Sequence, residues 1–391
     1  MKNRLITNLV AVSLVFGITG CGKKEGAEQS ASGVEIVKIG AAAPLTGPQA
    51  HLGKDNENGT RMAIDDANAK GIEIAGKKVQ FQLISEDDQA DPKTATIIAQ
   101  KMVDAKIKGV IGHMNSGTTI PASRIYHDAG IVQISPSATN PKYTEQGFKT
   151  AFRVMTNDVQ QGKVLGEYAV KQLAAKKIAI IDDRSAYGQG LADEFEKAAK
   201  AAGAEIVARE YTTDKSTDFM AILTAVKGKA PDLLFFGGMD AQGGPMNKQF
   251  ATLGLKAKYL TGDGSSTPEF IKLAGGSAEG AYSSLPGVPL DKMPGGKAFA
   301  DKFTAKYGQI QLYAPYCYDA VNAMISAMQK AGSTDPVKYL PELAKINYQG
   351  VTSNFSFDEK GDIKGGAVTM YQVKNGKWEV LETITAAPAA K

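Results

Sequence analysis

The stretch IAIIDDRSAYGQGLA at 178–192 constrains the fold most. Residues 178–181 form a short, fully apolar run, as expected of a parallel strand buried on both faces. The run ends in Asp182-Asp183, passes through a loop carrying Tyr187-Gly188-Gln189-Gly190, and continues in a helical pattern. The same order recurs at Val110-Ile111-Gly112, which leads through His113-Met114-Asn115-Ser116-Gly117-Thr118-Thr119 into a helix at 121–128. It recurs again at 131–134, followed by Ser135-Pro136-Ser137-Ala138-Thr139. Each time, small hydroxyl or aromatic residues sit just past the carboxyl end of a strand. Open α/β sheets bind their ligands at that edge. The pattern predicts two such sheets facing each other across a cleft.

The rest of the chain follows this rhythm. Strands are expected at 36–43, 79–85, 110, 131, 152, 206–211, 233–236 and 259–260. Helices are expected at 59–69, 165–173, 191–202 and 219–226. One more runs from Asp91-Pro92 to Lys106, with Asp as cap and Pro in the first turn. Such alternation implies parallel sheets with helices on both faces, an α/β doubly wound class. A chain of 391 residues exceeds one compact core, so two domains are expected. Near the end the rhythm breaks. Helices at 297–307, 320–331 and 336–346 follow one another, then strands at 352–357 and 369–373, with Gly376 in a hairpin turn before Trp378.

Composition narrows the function. The net charge of +4 is spread along the chain with no Lys/Arg block, which makes nucleic acid a poor partner, and none is expected. Two cysteines give no disulfide framework. His51, His113 and His127 lack metal-ligand spacing, so no metal is expected. Gly295-Gly296-Lys297-Ala298 lacks the hydroxyl of a phosphate loop, and Gly188-x-Gly190 lacks the third glycine of a dinucleotide fingerprint. No G-x-S-x-G elbow occurs, and nothing pairs a nucleophile with a base. The chain therefore reads as neither an enzyme nor a cofactor carrier. Cys317 is expected to be a buried free thiol.

Residues 1–20 read as an export signal. Lys2 and Arg4 precede a 14-residue, mostly apolar stretch from Leu5 to Ile18, too short to span a bilayer comfortably. Ile18-Thr19-Gly20-Cys21 is similar to the bacterial lipobox, which implies cleavage before Cys21 and lipid attachment to it. Removing Lys2 and Arg4 lowers the net charge from +4 to +2. Residues 21–33 hold nothing apolar beyond Ala and the lipid-bearing Cys21, and read as a flexible tether. Residues 386–391 read as a frayed tail.

The remaining polar groups suit a zwitterion. Ser116-Gly117-Thr118 opens a helix, whose first-turn amides can accept a carboxylate. Ser116 or Thr118 could equally serve as its cap. Ser137 and Thr139 add hydroxyls, or else turn chemistry around Pro136. Asp263 follows a strand in TGDGSS at 261–266, where an Asp is commonly a turn or cap residue.

From residue 34 to about 381 the chain resembles the periplasmic leucine/isoleucine/valine-binding proteins of ABC transporters. The ordered motifs are PLTGPQAHLG at 44–53, NGTRMAIDDANAKG at 58–71, DDQADPKTA at 87–95 and VIGHMNSGTTIPAS at 110–123. They continue with GIVQISPSATNP at 130–141, YGQGLA at 187–192, FFGG at 235–238, AEGAY at 278–282 and FDEKGD at 357–362. The resemblance implies a type I periplasmic binding protein: two lobes joined by three crossovers, near 157, 286 and 355. The first lobe would hold 34–157 and 287–355, the second 158–286 and 356–385. Ser116 would hold the ligand carboxylate, Ser137 would offer backbone groups, and Thr139 would contact the zwitterion. Tyr187 would close from the second lobe, Asp263 would pair the α-ammonium, and Tyr313 would line the side-chain pocket.

Several positions depart from the family pattern. Ala90 and Asn115 stand where the family has a disulfide, Leu52 and Met239 where it has pocket aromatics, and Asp263 where it has a longer glutamate. These changes bear on which side chain fits. The expected protein is a monomeric, periplasmic, lipid-anchored binding component that hands a neutral aliphatic amino acid to inner-membrane ABC permease subunits. The alternatives are an amide, a urea-like compound or an aromatic acid as ligand, or a ligand-sensing receptor lobe pair.

Overall fold

A computed structural model describes residues 33–385. The expected signal, Cys21, most of the tether and the tail lie outside the described residues.

The chain first builds β1 (Glu35–Ala43), α1 (Ala50–Lys70), β2 (Glu73–Ile74), β3 (Lys77–Asp87), α2 (Pro92–Asp104), β4 (Val110–Gly112), α3 (Ser116–Asp128), β5 (Gln133–Ser135), α4 (Lys142–Glu145) and β6 (Ala151–Arg153). These strands form one sheet in the order β2-β3-β1-β4-β5-β6, parallel except for the β2–β3 hairpin. A second run follows: α5 (Asp158–Lys171), β7 (Lys177–Asp182), α6 (Ala186–Ala201), β8 (Glu205–Tyr211), α7 (Met220–Gly228), β9 (Leu233–Gly237), α8 (Asp240–Thr252), β10 (Lys258–Thr261), α9 (Pro268–Ala274) and β11 (Tyr282–Pro286). The chain then returns to the first sheet with α10 (Gly296–Tyr307), α11 (Ala314–Ala331), α12 (Pro336–Ala344) and the small hairpin β12 (Asn347–Gln349) and β13 (Asn354–Ser356). It ends in β14 (Ala367–Lys374) and β15 (Lys377–Thr385), which extend the second sheet to β15-β14-β11-β10-β9-β7-β8.

The physics of β7 is as its sequence implies. Ile178 and Ile180 enter one core cluster while Ala179 and Ile181 enter another, so both faces are covered. Asn375 and Gly376, both with positive φ, make the two-residue turn between the antiparallel β14 and β15. Elsewhere, helices begin earlier than apolar periodicity suggests. α1 starts at Ala50 rather than near 59, and α5 and α6 start at their capping residues Asn157 and Ser185. α1 opens with glycines that lower helix propensity but permit contact. A Cβ on Gly53 would stand 1.9 Å from the Pro44 carbonyl oxygen, and one on Gly59 would stand 2.4 Å from that of Ala314. α8 carries Gly243-Gly244-Pro245, a turn signal in isolation, and is helical because Met246 and Phe250 bury against the second core.

The sheets meet with their carboxyl edges facing each other. Three stretches pass between them: 154–157, 287–289, and the segment between β13 and β14. In the last of these, Asp362 still bridges Arg153 on the edge of the first sheet.

Candidate functional site

The strand ends converge on one small cavity between the sheets. Met114, Asn115, Ser116, Ser137 and Tyr313 bound it from the first sheet's side, and Tyr187, Met239 and Asp263 from the second. Its free volume is about 10 Å³, room for roughly one water. A larger open groove of about 1200 Å³, between α12 and residues 357–365, holds none of these loop-end groups.

Asp263 is the centre of the site. It follows β10 and begins a short 3-10 turn, but Gly262 stands at the cap position and no side chain caps that turn. The carboxylate instead accepts from Tyr187 Oη at 2.8 Å and Gln161 Nε2 at 2.9 Å on Oδ1, and from Tyr313 Oη at 2.7 Å on Oδ2. Burial pushes its carboxyl above the ordinary range, against the pull of those three donors. Tyr313 reaches in from the first sheet's side because the loop before α11 is pinned. The buried Asp55 carboxylate on α1 accepts the backbone N–H groups of Gln311, Leu312, Tyr313 and Ala314. Tyr187, in the first turn of α6, also accepts from the Gly264 amide at 2.9 Å.

At the opposite wall, Ser116 is the first residue of α3, with Asn115 rather than Ser116 at the cap position. Its Oγ accepts from the Asn140 amide at 3.2 Å, and Thr118 Oγ1 donates back to the Asn115 carbonyl. The positive end of α3 therefore borders the cavity. Ser137 Oγ donates to the Met114 carbonyl at 2.9 Å, so its hydroxyl joins two of the strand-end loops. Met239 precedes α8 and packs beside Gly264, where an added Cβ would stand 2.7 Å from its sulfur.

Two expected residues do not bound the cavity. Leu52 is fully buried in the core of the first sheet. Thr139 is fully buried just beside the cavity wall, its Oγ1 without a hydrogen-bond partner while its carbonyl accepts from the Asp158 amide.

Asp158 and Gln161 were not legible in the sequence, where they are two polar residues of a helix. Both are fully buried on α5. Gln161 Nε2 donates to Asp263 and also to Ser284 Oγ at 2.9 Å, leaving its Oε1 unpartnered. Neither carboxyl oxygen of Asp158 has a hydrogen-bond partner of full geometry. Burial pushes that carboxyl up to about 8, with Asp263 adding to the shift and the nearby Thr139 hydroxyl and Arg153 opposing it. Gln161 Oε1, on the side chain that also holds Asp263, is thus a buried acceptor in want of a donor. An ammonium group supplies such donors.

Cys317 is a buried free thiol in α11. His113 is buried between Asp88 and Tyr126, and His127 stacks on Phe148. His51 meets Asp240 at the start of α8.

The sequence profile of the family described as "Periplasmic binding protein" matches residues 36–377. An "Amino acid binding protein" of Pseudomonas aeruginosa is 36% identical over 376 residues, covering 95% of this chain and 96% of its own length. A "Leu/Ile/Val-binding protein homolog 1" of Brucella abortus is 37% identical over 347 residues, covering 88% of this chain and 90% of its own. Among solved structures, a branched-chain amino acid transporter substrate-binding protein of Streptococcus pneumoniae in complex with isoleucine superposes with a TM-score of 0.82. It is 30% identical and covers 90% of this chain and 100% of its own. A leucine-binding protein of Thermotoga maritima gives 0.83 at 27% identity, over 89% and 98% of the two chains. The chain belongs to the periplasmic binding protein family, in the group that holds the Leu/Ile/Val-binding proteins.

Proposed function

We propose that this protein is the substrate-binding component of an ABC importer, capturing a neutral aliphatic amino acid between its lobes and delivering it to the permease. The observation that carries this reading is the polarity of the cavity. One wall is the positive end of α3 at Ser116, suited to a carboxylate. The other holds the Asp263 carboxylate, with the Tyr187 and Tyr313 hydroxyls upon it, suited to an ammonium. Met239, beside them, gives the side-chain end an adaptable apolar wall. The similar solved structures are a complex with isoleucine and a leucine-binding protein, which supports an aliphatic side chain here.

The mechanism is capture by hinge closure. A cavity of about 10 Å³ admits an amino acid only when the lobes part and the Tyr313 hydroxyl leaves Asp263. A ligand that docks first on Ser116 and then supplies an ammonium to Asp263 shifts the population toward the closed form. In this reading the lobes comprise 34–157 with 287–355 and 158–286 with 356–385, and the three crossings absorb the rotation. Export by residues 1–20, anchoring through Cys21 and a monomeric periplasmic state complete the proposal. They are supported by the lipobox-like N-terminus and the family. The test is a thermal-shift screen of the twenty amino acids with small amides and aromatic acids. Stabilisation by leucine, isoleucine or valine supports the reading. Stabilisation only by ligands without an ammonium removes it.

A further inference from the structure

Arg153 ends β6 and is fully buried, the largest such side chain among the described residues. Its Nη1 donates to the carbonyls of Ala138 at 2.7 Å and Asn140 at 2.9 Å, on either side of Thr139. Its Nε and Nη2 both donate to Asp362 Oδ1, at 2.9 and 2.7 Å. The other oxygen, Oδ2, accepts from Thr144 Oγ1 at 3.2 Å and from Asn157 Nδ2 at 3.1 Å. Asn157 is the cap of α5, its own Oδ1 accepting the Gln160 amide. That first turn carries Asp158 and Gln161.

Asp362 sits on neither sheet proper but in the third passage between them. Its loop is held close to β6. The Arg153 amide donates to the Gly361 carbonyl, and the Asp358 carboxylate accepts the Asp362 amide. The approach requires glycine at 361, where φ is +98° and a Cβ would stand 2.1 Å from the Ala151 carbonyl oxygen. One carboxylate in a crossing therefore reaches, through one side chain each, the loop bearing Thr139 and the helix turn bearing Asp158 and Gln161.

We propose that Asp362 is a positioning residue for ligand capture: through Arg153 and Asn157 it sets two parts of the site, one in each lobe, from the third crossing. This rests on the ligand site proposed above. Neutralising a buried guanidinium alone would need only the contact to Oδ1; the contact from Asn157 to Oδ2 extends the tie to the second lobe. Because the tie runs through a hinge strand, its geometry is coupled to lobe rotation.

The test uses the full chain and L-leucine as probe. Asp362→Ala is expected to weaken leucine binding about ten- to a hundredfold at a temperature well below its melting point, the scale on which outer partners act at built sites. Asn157→Ser keeps an α5 cap but removes the amide arm. It guards against failure of the first variant to fold, and is expected to weaken binding by about three- to tenfold with little change in melting. Amide hydrogen exchange, which needs no ligand, is expected to rise at 137–140 and 158–161 in Asp362→Ala, and at 158–161 in Asn157→Ser, while α8 stays as in wild type. A purely structural role predicts lowered melting with unchanged leucine affinity and no segment-specific exchange, and that result overturns the proposal. If the wild type itself binds no leucine while exchange still rises in those segments of the variants, the tie to both segments stands and it is the choice of leucine as ligand that fails.

Discussion

His51 on α1 and Asp240 at the start of α8 meet across the cleft, Nε2 to Oδ2, at 2.7 Å. The two residues belong to helices that flank different sheets, so in the two-lobed reading proposed above parting the lobes would break the pair. Asp240 is fully buried and its Oδ2 also accepts from Thr267 Oγ1. Burial lowers the His51 value, but the hydrogen bond and charge of Asp240, with Glu269 and Asp55 behind them, outweigh it and raise it above 6.5.

A pH dependence of closure follows. A raised histidine value contributes fully below the ordinary 6.5 and is lost as pH rises through the raised value. The affinity ratio of wild type to His51→Gln is expected to fall by about fivefold from pH 6 to above pH 8, the worth of a partly exposed pair. Titration calorimetry across that range checks it. A ratio that stays flat shows that the pair does not bias closure.

Asp263→Asn should keep the apo fold within about 1 kcal/mol, because the amide oxygen still accepts from the Tyr187 and Gln161 side while volume is unchanged. Its amino-acid affinity should fall about 10²–10³-fold, the cost of leaving an ammonium without its charged partner. Calorimetric titration and apo melting of the same variant separate the two effects. Binding within a few-fold of wild type would mean that the ligand brings no ammonium to this carboxylate.

Asp158 gives the opposite pairing of stability and function. Its carboxyl stays protonated in the fold up to about pH 8 but ionises near 3.8 when the chain unfolds. The folded state thus binds the extra proton, and stability from this group is present at low pH and lost as pH rises from about 4 to 8. Asp158→Asn removes that loss. It should stabilise the apo protein by about 1–4 kcal/mol at pH 8, with almost no gain at pH 4, and weaken amino-acid binding only toward pH 8 and above, where the carboxyl is ionised. Denaturant unfolding at the two pH values is the measurement. An equal effect at both would place the titration elsewhere.

The proposed hinge closure can be tested in solution. Small-angle scattering with and without a saturating amino acid should give a smaller radius of gyration with ligand, since rotation about the three crossings closes the cleft. Superimposable profiles would argue for a rigid site that admits ligand by side-chain movement of Tyr187 and Tyr313 alone.

Cys21 is tested in the native host. Cys21→Ala should release the protein from the membrane fraction or leave it unprocessed. A wild type already found wholly in the soluble fraction would exclude the anchor.

What the sequence by itself determined are the features written in neighbouring residues. Apolar runs such as 178–181 and 233–236 mark buried parallel strands, because covering both faces leaves no polar alternation. The hydroxyl and aromatic residues just after such strands mark the sheet edge that meets the cavity, where Ser116, Ser137 and Tyr187 lie together with Met239, Asp263 and Tyr313, which the family resemblance singles out. Tertiary structure alone decided the rest. α1 and α8 run through glycines and a proline, and only close contacts such as Gly59 on Ala314 explain those residues inside a helix. Leu52 turned inward to the core because the helix face it shares is apolar and covered. Asp158, Gln161 and Arg153 look like ordinary polar residues along the chain. Their roles depend on partners far away in sequence, Arg153 and Asp362 being 209 residues apart and His51 and Asp240 being 189. Local propensity carries no record of such pairings. They exist because folding removes these groups from water and leaves each buried donor or acceptor to be met by whatever the packed lobes bring beside it.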